Sequence, residues 1–239
     1  MRAYYNFGED KKYLKNIKIK IVHDDDIEFP CYRPKEETIY IKKSVSKNLD
    51  VIAHEQSHAI VDKKYEIWKK IVGPFYEKYE DEYNMIVETV TDEIWGYIEK
   101  KFHEADGRLF RINEDKIPAQ TQFEKECIID IYCYRDFYKS LNKLSRKVAE
   151  RFKEKYGDKA GEFVCLVQEI QGLDELLAHA VGGQVLGGDA IFYKGYYLFG
   201  GSATIYKLRE MLNEKGYSYV TDILFSQRVK RAKKLIGEI

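Results

Sequence analysis

"DVIAHEQSHAIVD", residues 50–62, sets two of the chain's five histidines four positions apart, with a glutamate beside the first. Helical periodicity surrounds it. From Asn48, an N-cap residue type, Val51, Ile52, Ser57 to Ile60, Tyr65 and Trp68 recur at helical intervals and predict a helix running to Val72. On a helix, residues i and i+4 project from one face, so His54 and His58 can reach one tetrahedral cation at the ~2.0–2.1 Å of a Zn–N bond. Glu55 lies a step round the helix, placed to take a proton from a water at the metal without binding the metal itself. The pattern H-E-x-x-H thus has a chemical reason at each fixed position.

Working outward, "IKIKIV" (17–22) and "TIYIKK" (38–43) alternate as strands do, and the lysines of the second suit a sheet edge. Between them "HDDDIEFPCYRP" reads as loop, its prolines at 30 and 34 excluding regular structure; His23 beside Asp24 to Asp26 reads as a solvated turn. Gly73-Pro74 stops the histidine helix and opens a second that continues to about His103. Beyond the loop "ADGRLFRINEDKIPAQ", helices are expected near 121–156 and 159–186, the latter weakened at Gly172. A hairpin follows at 190–201, then helices near 202–215 and 219–237. The expected class is α+β: a small, mainly antiparallel N-terminal sheet with the histidine helix (1–73), then a helical remainder (74–239) in one catalytic unit.

A catalytic zinc takes three protein ligands and keeps one position open. Position 64, where an H-E-x-x-H-x-x-G-x-x-H motif would place its third histidine, is lysine. The next helix offers "VETVTDE", with Glu88 and Asp92 at i and i+4. A Glu88 ligand, with Asp92 accepting the far N–H of a ligating histidine, would complete the site. His58 to Val72 and Pro74 to Glu88 each span fourteen residues. At ~1.5 Å per residue, an antiparallel hairpin returns Glu88 to the level of His58.

"HEQSH" followed by "ETVTD" resembles the gluzincin metallopeptidases, the thermolysin- and neprilysin-like zincins, over about residues 38–93. The resemblance implies a zincin-like fold with His54, His58 and Glu88 as zinc ligands, Glu55 as general base and Asp92 as the carboxylate that orients a histidine. One zinc per chain and a peptide or protein substrate follow from it.

Softer candidates lie further on. "DELLAHAVGG" places His179 one turn after Glu175; His179 can donate to the oxyanion of a tetrahedral intermediate, and Glu175 is the reserve third ligand. Tyr193, Tyr196 and Tyr197 of the hairpin could serve the same oxyanion. Arg228, Lys230, Arg231, Lys233 and Lys234 crowd the last helix and read as a solvated face. Forty basic residues balance forty acidic ones, so neither nucleic acid nor an anionic membrane is the expected partner. "MRAYYNFGEDKK" has no apolar core, and Cys31, Cys127, Cys133 and Cys165 show no C-x-x-C spacing; both favour a cytoplasmic protein with reduced thiols. Two other readings compete with a peptidase: a zinc amidohydrolase acting on a non-peptide amide, and a zincin fold retained as a non-catalytic, partner-binding scaffold. Glu55 argues against the scaffold, which needs no base beside a metal.

Overall fold

The computed structural model describes residues 2–109, 143–185 and 202–239. Three strands, β1 (Lys18–Val22), β2 (Cys31–Arg33) and β3 (Thr38–Lys42), form one sheet in the order β1-β3-β2. The architecture is α+β, but two expectations about the sheet are corrected. The longer pairing, β1 with β3, is parallel, because the connection holding β2 carries the chain back to the start of the sheet; only β2 runs antiparallel to β3. Strand β3, expected at an edge, is central, with Ile39 and Ile41 fully buried. The edge is β2, inside the stretch read as loop. Its three residues fit between Pro30 and Pro34, which bound the strand without interrupting a ladder.

Helix α1 (Leu49–Tyr65) starts at Asn48 as expected and runs through the middle of the molecule. No residue from 51 to 68 is exposed, so the polar residues of this helix need internal partners. They have them. Gln56 donates to Arg2 O at 2.8 Å and accepts from Tyr4 N at 3.0 Å. Ser57 Oγ meets the Tyr217 hydroxyl at 2.9 Å. Lys64 turns away from the histidines onto Asp10, Asp222 and Thr221, each at 2.9 Å.

The helix ends earlier than its apolar pattern suggested. Glu66 takes a left-handed conformation (φ 55°) and bonds back to Asp62 O, and a π-turn over Trp68–Val72 leads into α2 (Gly73–Leu109). Gly73 is itself helical, so Gly-Pro opens α2 without reversing the chain. Four further helices are described: α3 (143–156), α4 (Asp158–Val185), α5 (Ser202–Lys215) and α6 (Tyr217–Ile236). Helix α4 runs unbroken through Gly172. Residues 121–142 of the helix expected at 121–156, the hairpin at 190–201 with its three tyrosines, Cys127 and Cys133 lie outside the described residues.

What positions the site is the pairing of α1 with α4, the most extensive helix contact in the fold. The two run antiparallel: His58 faces Asp174, and one end of the contact brings Asp50 against Gly182. A β-carbon at Gly182 would sit 3.2 Å from Asp50 O, so its absence lets the two backbones close up. Helices α5 and α6 cover other sides of α4. Arg228 and Arg231 on α6 bond Glu169 and Glu162 of α4 at 2.7 and 2.8 Å, so part of the basic C-terminal face is committed to ion pairs. Phe75 of α2 packs on Phe152 and Phe163, joining α2 to α3 and α4. Among the described residues, no helix is long and apolar enough to cross a membrane.

Candidate metal centre

Because α1 and α4 are antiparallel and each repeats its face every turn, their facing residues form a ladder. Asp50, His54, His58 and Asp62 climb α1 opposite Gly182, His179, Glu175 with Asp174, and Gln171 on α4. The middle rungs carry the chemistry. His54 Nε2 and His58 Nε2 are 3.1 Å apart. The Glu175 carboxylate reaches both, Oε2 at 3.6 Å from His54 Nε2 and Oε1 at 3.6 Å from His58 Nε2. His179 Nε2 lies 3.8 Å from Glu175 Oε2. The donor atoms of His54, Glu175 and His179 all fall within 4.8 Å of one another.

These distances are those of a metal cradle. Two donors bonded to one tetrahedral ion at about 2.05 Å stand about 3.3 Å apart, the range in which the His54, His58 and Glu175 atoms already lie. The donor set, imidazole and carboxylate, suits zinc. The outer partner is also present: Asp174 Oδ2 accepts from His58 Nδ1 at 2.8 Å, which fixes the tautomer that leaves Nε2 with its lone pair toward Glu175. The residues fit a zinc ion.

Electrostatics agree. Burial would lower the His58 pKa, but the Asp174, Glu175 and Glu55 carboxylates outweigh it and push the imidazole up to about 10. Burial would raise Glu175, yet the hydrogen bond from His54 and the charges of His58, His54 and His179 bring it down to about 2. His179, desolvated and beside His54, is lowered to about 3. The site is therefore a nest of mutually dependent charges, the condition under which a divalent cation gains most by replacing protons.

Glu55 is 5% exposed, lines the same cavity, and places Oε1 4.0 Å from His54 Nε2. The cavity is about 1070 Å³. One wall is the edge strand, through Cys31 and Tyr32; the far end is apolar, with Ile67, Trp68, Val72 and Tyr76. Asp62 ties these walls together, accepting from the Tyr32 hydroxyl at 3.0 Å and from Trp68 N at 2.7 Å.

Four of the residues singled out in the sequence, His54, Glu55, His58 and His179, thus meet in one cavity, joined by the reserve ligand Glu175. Glu88 and Asp92 do not. Both are exposed on α2, whose buried stripe is Ile86, Val90 and Ile94. The hairpin arithmetic needed α1 to continue to Val72 and fold back. The left-handed break at Glu66 and the π-turn redirect the chain first, and α4 takes the place beside α1. Asp174 was the residue missed; its signal was its position one step before Glu175 on a face continued by Ala178 and Gly182, residues small enough for a close helix contact. His23 and Asp24 to Asp26 are a turn, with Asp26 accepting from His23 N and Asp24 from Ser44 N, each at 3.0 Å.

No protein-family model, curated protein or solved structure matches the chain.

Proposed function

We propose that this chain is a zinc-dependent metallopeptidase, with His54, His58 and Glu175 as the donors and Glu55 as the general base. The observation that carries the reading is the convergence of those three donors beside a buried glutamate in a cavity walled by an edge strand. When bound, zinc supplies a Lewis acid that polarises the scissile carbonyl and makes water acidic enough to surrender a proton near neutral pH. The chain's own residues do the rest. Glu55 takes the proton from the attacking water and passes it to the leaving amine, with no covalent intermediate. Asp174 holds the His58 ring in its ligating orientation. Strand β2, with β3 on one side only, offers main-chain groups to an extended peptide, which favours a peptide over a small amide as substrate. His179 stands where a donor to the tetrahedral oxyanion is needed.

This chemistry is that of the gluzincin-like peptidases the H-E-x-x-H motif resembles, with one departure. The third donor comes from Asp174-Glu175 on α4, with a histidine one turn later in place of an aspartate.

The test is Glu55→Gln. The amide keeps the side chain's shape but cannot accept the proton, so metal content should stay near one zinc per chain while casein or mixed-peptide cleavage falls by roughly 10²–10⁴-fold. Wild-type turnover in this variant would remove Glu55 from the reaction.

A further inference from the structure

The donors at the centre come as two matched pairs: His54 and His58, one turn apart on α1, face Glu175 and His179, one turn apart on α4. A tetrahedron has two opposite edges, and an i,i+4 pair on each of two antiparallel helices supplies one edge apiece. Three donors are enough for a catalytic ion, and the fourth side chain is in reach as well. His179 shares with His54 and Glu175 a set of donor atoms within 4.8 Å. Its ring lies edge-on to His54 at 4.6 Å between centroids, matching the 4.7 Å between His54 and His58. Its side chain is 14% exposed, as is that of His58, so it belongs to the interior of the centre.

We propose that His179 is a fourth protein ligand, which closes the metal position at rest and is the one that yields when substrate enters. The inference rests on the metallopeptidase reading and goes beyond it, making the centre latent by its own side chain. Three features single out His179 as the donor that leaves. Its 3.8 Å separation from Glu175 is the longest of the four donor–donor distances given above, against 3.1 Å between His54 and His58. His58 is held from behind by Asp174, so it cannot swing without breaking that bond. His54 and His58 also sit on a helix enclosed along its whole length, whereas Gly182 and Gly183 follow His179 by one turn and leave open volume in the cavity beside it. A displaced His179 remains next to the reacting carbonyl, where the same ring can donate to the oxyanion.

The experiment uses the full chain loaded with cobalt(II), in wild type and in His179→Ala. His179→Phe, which keeps a ring but has no lone pair, guards against a packing artefact. X-ray absorption should count three imidazoles on the metal in the wild type and two in either variant. Azide, which needs a position that the protein leaves to solvent, should perturb the cobalt spectrum of the variants at concentrations at least roughly tenfold lower. That is the factor by which a ligand occupying the position nine-tenths of the time weakens apparent binding. Two imidazoles in the wild type, or equal azide affinity in all three proteins, would overturn the proposal and leave the three-donor site intact. Failure of the wild type to bind cobalt at all would overturn both.

Discussion

Helices α2 and α4 each carry a glutamate followed one turn later by a second donor: Glu88 with Asp92, and Glu175 with His179. As strings they are equally good metal half-sites. In the fold, Glu88 and Asp92 face solvent, while Glu175 and His179 face the histidines of α1 across a close helix contact. The difference lies in the residues around them. On α2 the buried stripe, Ile86, Val90 and Ile94, runs on another side from the acids. On α4 the donors share their face with Ala178 and Gly182, and Gly182 lets α1 approach to where a β-carbon would touch Asp50 O. A carboxylate pair becomes a site when its face is the packed one, and small neighbours mark that face better than the acids do.

The sharpest way to break the comparison is to delete each glutamate. Glu175→Ala should abolish stoichiometric zinc, as should the double change His54→Ala with His58→Ala, whereas Glu88→Ala should keep about one zinc per chain by metal analysis after dialysis. The reverse result would restore the site to α2.

The same contrast extends one shell outward. Asp174→Asn removes the charged acceptor behind His58 and should weaken zinc affinity by roughly 10- to 100-fold in a chelator competition. Asp92→Ala should leave the affinity unchanged. A loss at Asp92 equal to that at Asp174 would mean the two helices are not as different as their burial implies.

In the chelated protein, pH should reveal the charges of α4. His58, raised to about 10 in the fold, favours folding fully below its ordinary value near 6.5 and loses that contribution as pH climbs through 10. His179, lowered to about 3, works the other way: the unfolded chain takes up its proton below 6.5 while the folded chain resists, so stability falls toward acid. These two groups together place a stability maximum near pH 6.5. Thermal melts across pH 4 to 10 should show it, with the alkaline limb flattened in His58→Gln. An unchanged alkaline limb in that variant would assign it elsewhere.

The smallest effects compare two glycines within α4. Gly182→Ala drives a β-carbon to 3.2 Å from the α1 backbone, and should destabilise by about 1–3 kcal/mol. Gly172 has nothing within 4 Å of that position, so Gly172→Ala should stabilise by about 0.5–1 kcal/mol through helix propensity. Denaturant midpoints separate the two. Equal responses would show that the α1–α4 contact is looser than its geometry states.

Much of this was legible in the sequence because it is local. The start of α1 at Asn48, the shared face of His54 and His58, the neighbouring Glu55, and α4, α5 and α6 to within a few residues follow from helical periodicity and caps, properties of short stretches. The centrality of β3 was already hinted at by Ile39 and Ile41, but its two lysines suggested an edge. Three residues of β2 between prolines left no periodic signal.

What tertiary structure alone decided is which helix lies against α1. Sequence separation made α2 the natural partner, since a hairpin needs the least chain. The direction α2 takes, however, is set by a left-handed residue at Glu66 and a π-turn, and neither Glu66 nor Trp68–Val72 advertises those conformations in its residue types. Glu175 stands over a hundred residues from His58, and only the burial of the α1 and α4 faces against each other brings their donors within reach. The identity of the donors is thus local chemistry, and their assembly is a long-range packing outcome that no short stretch encodes.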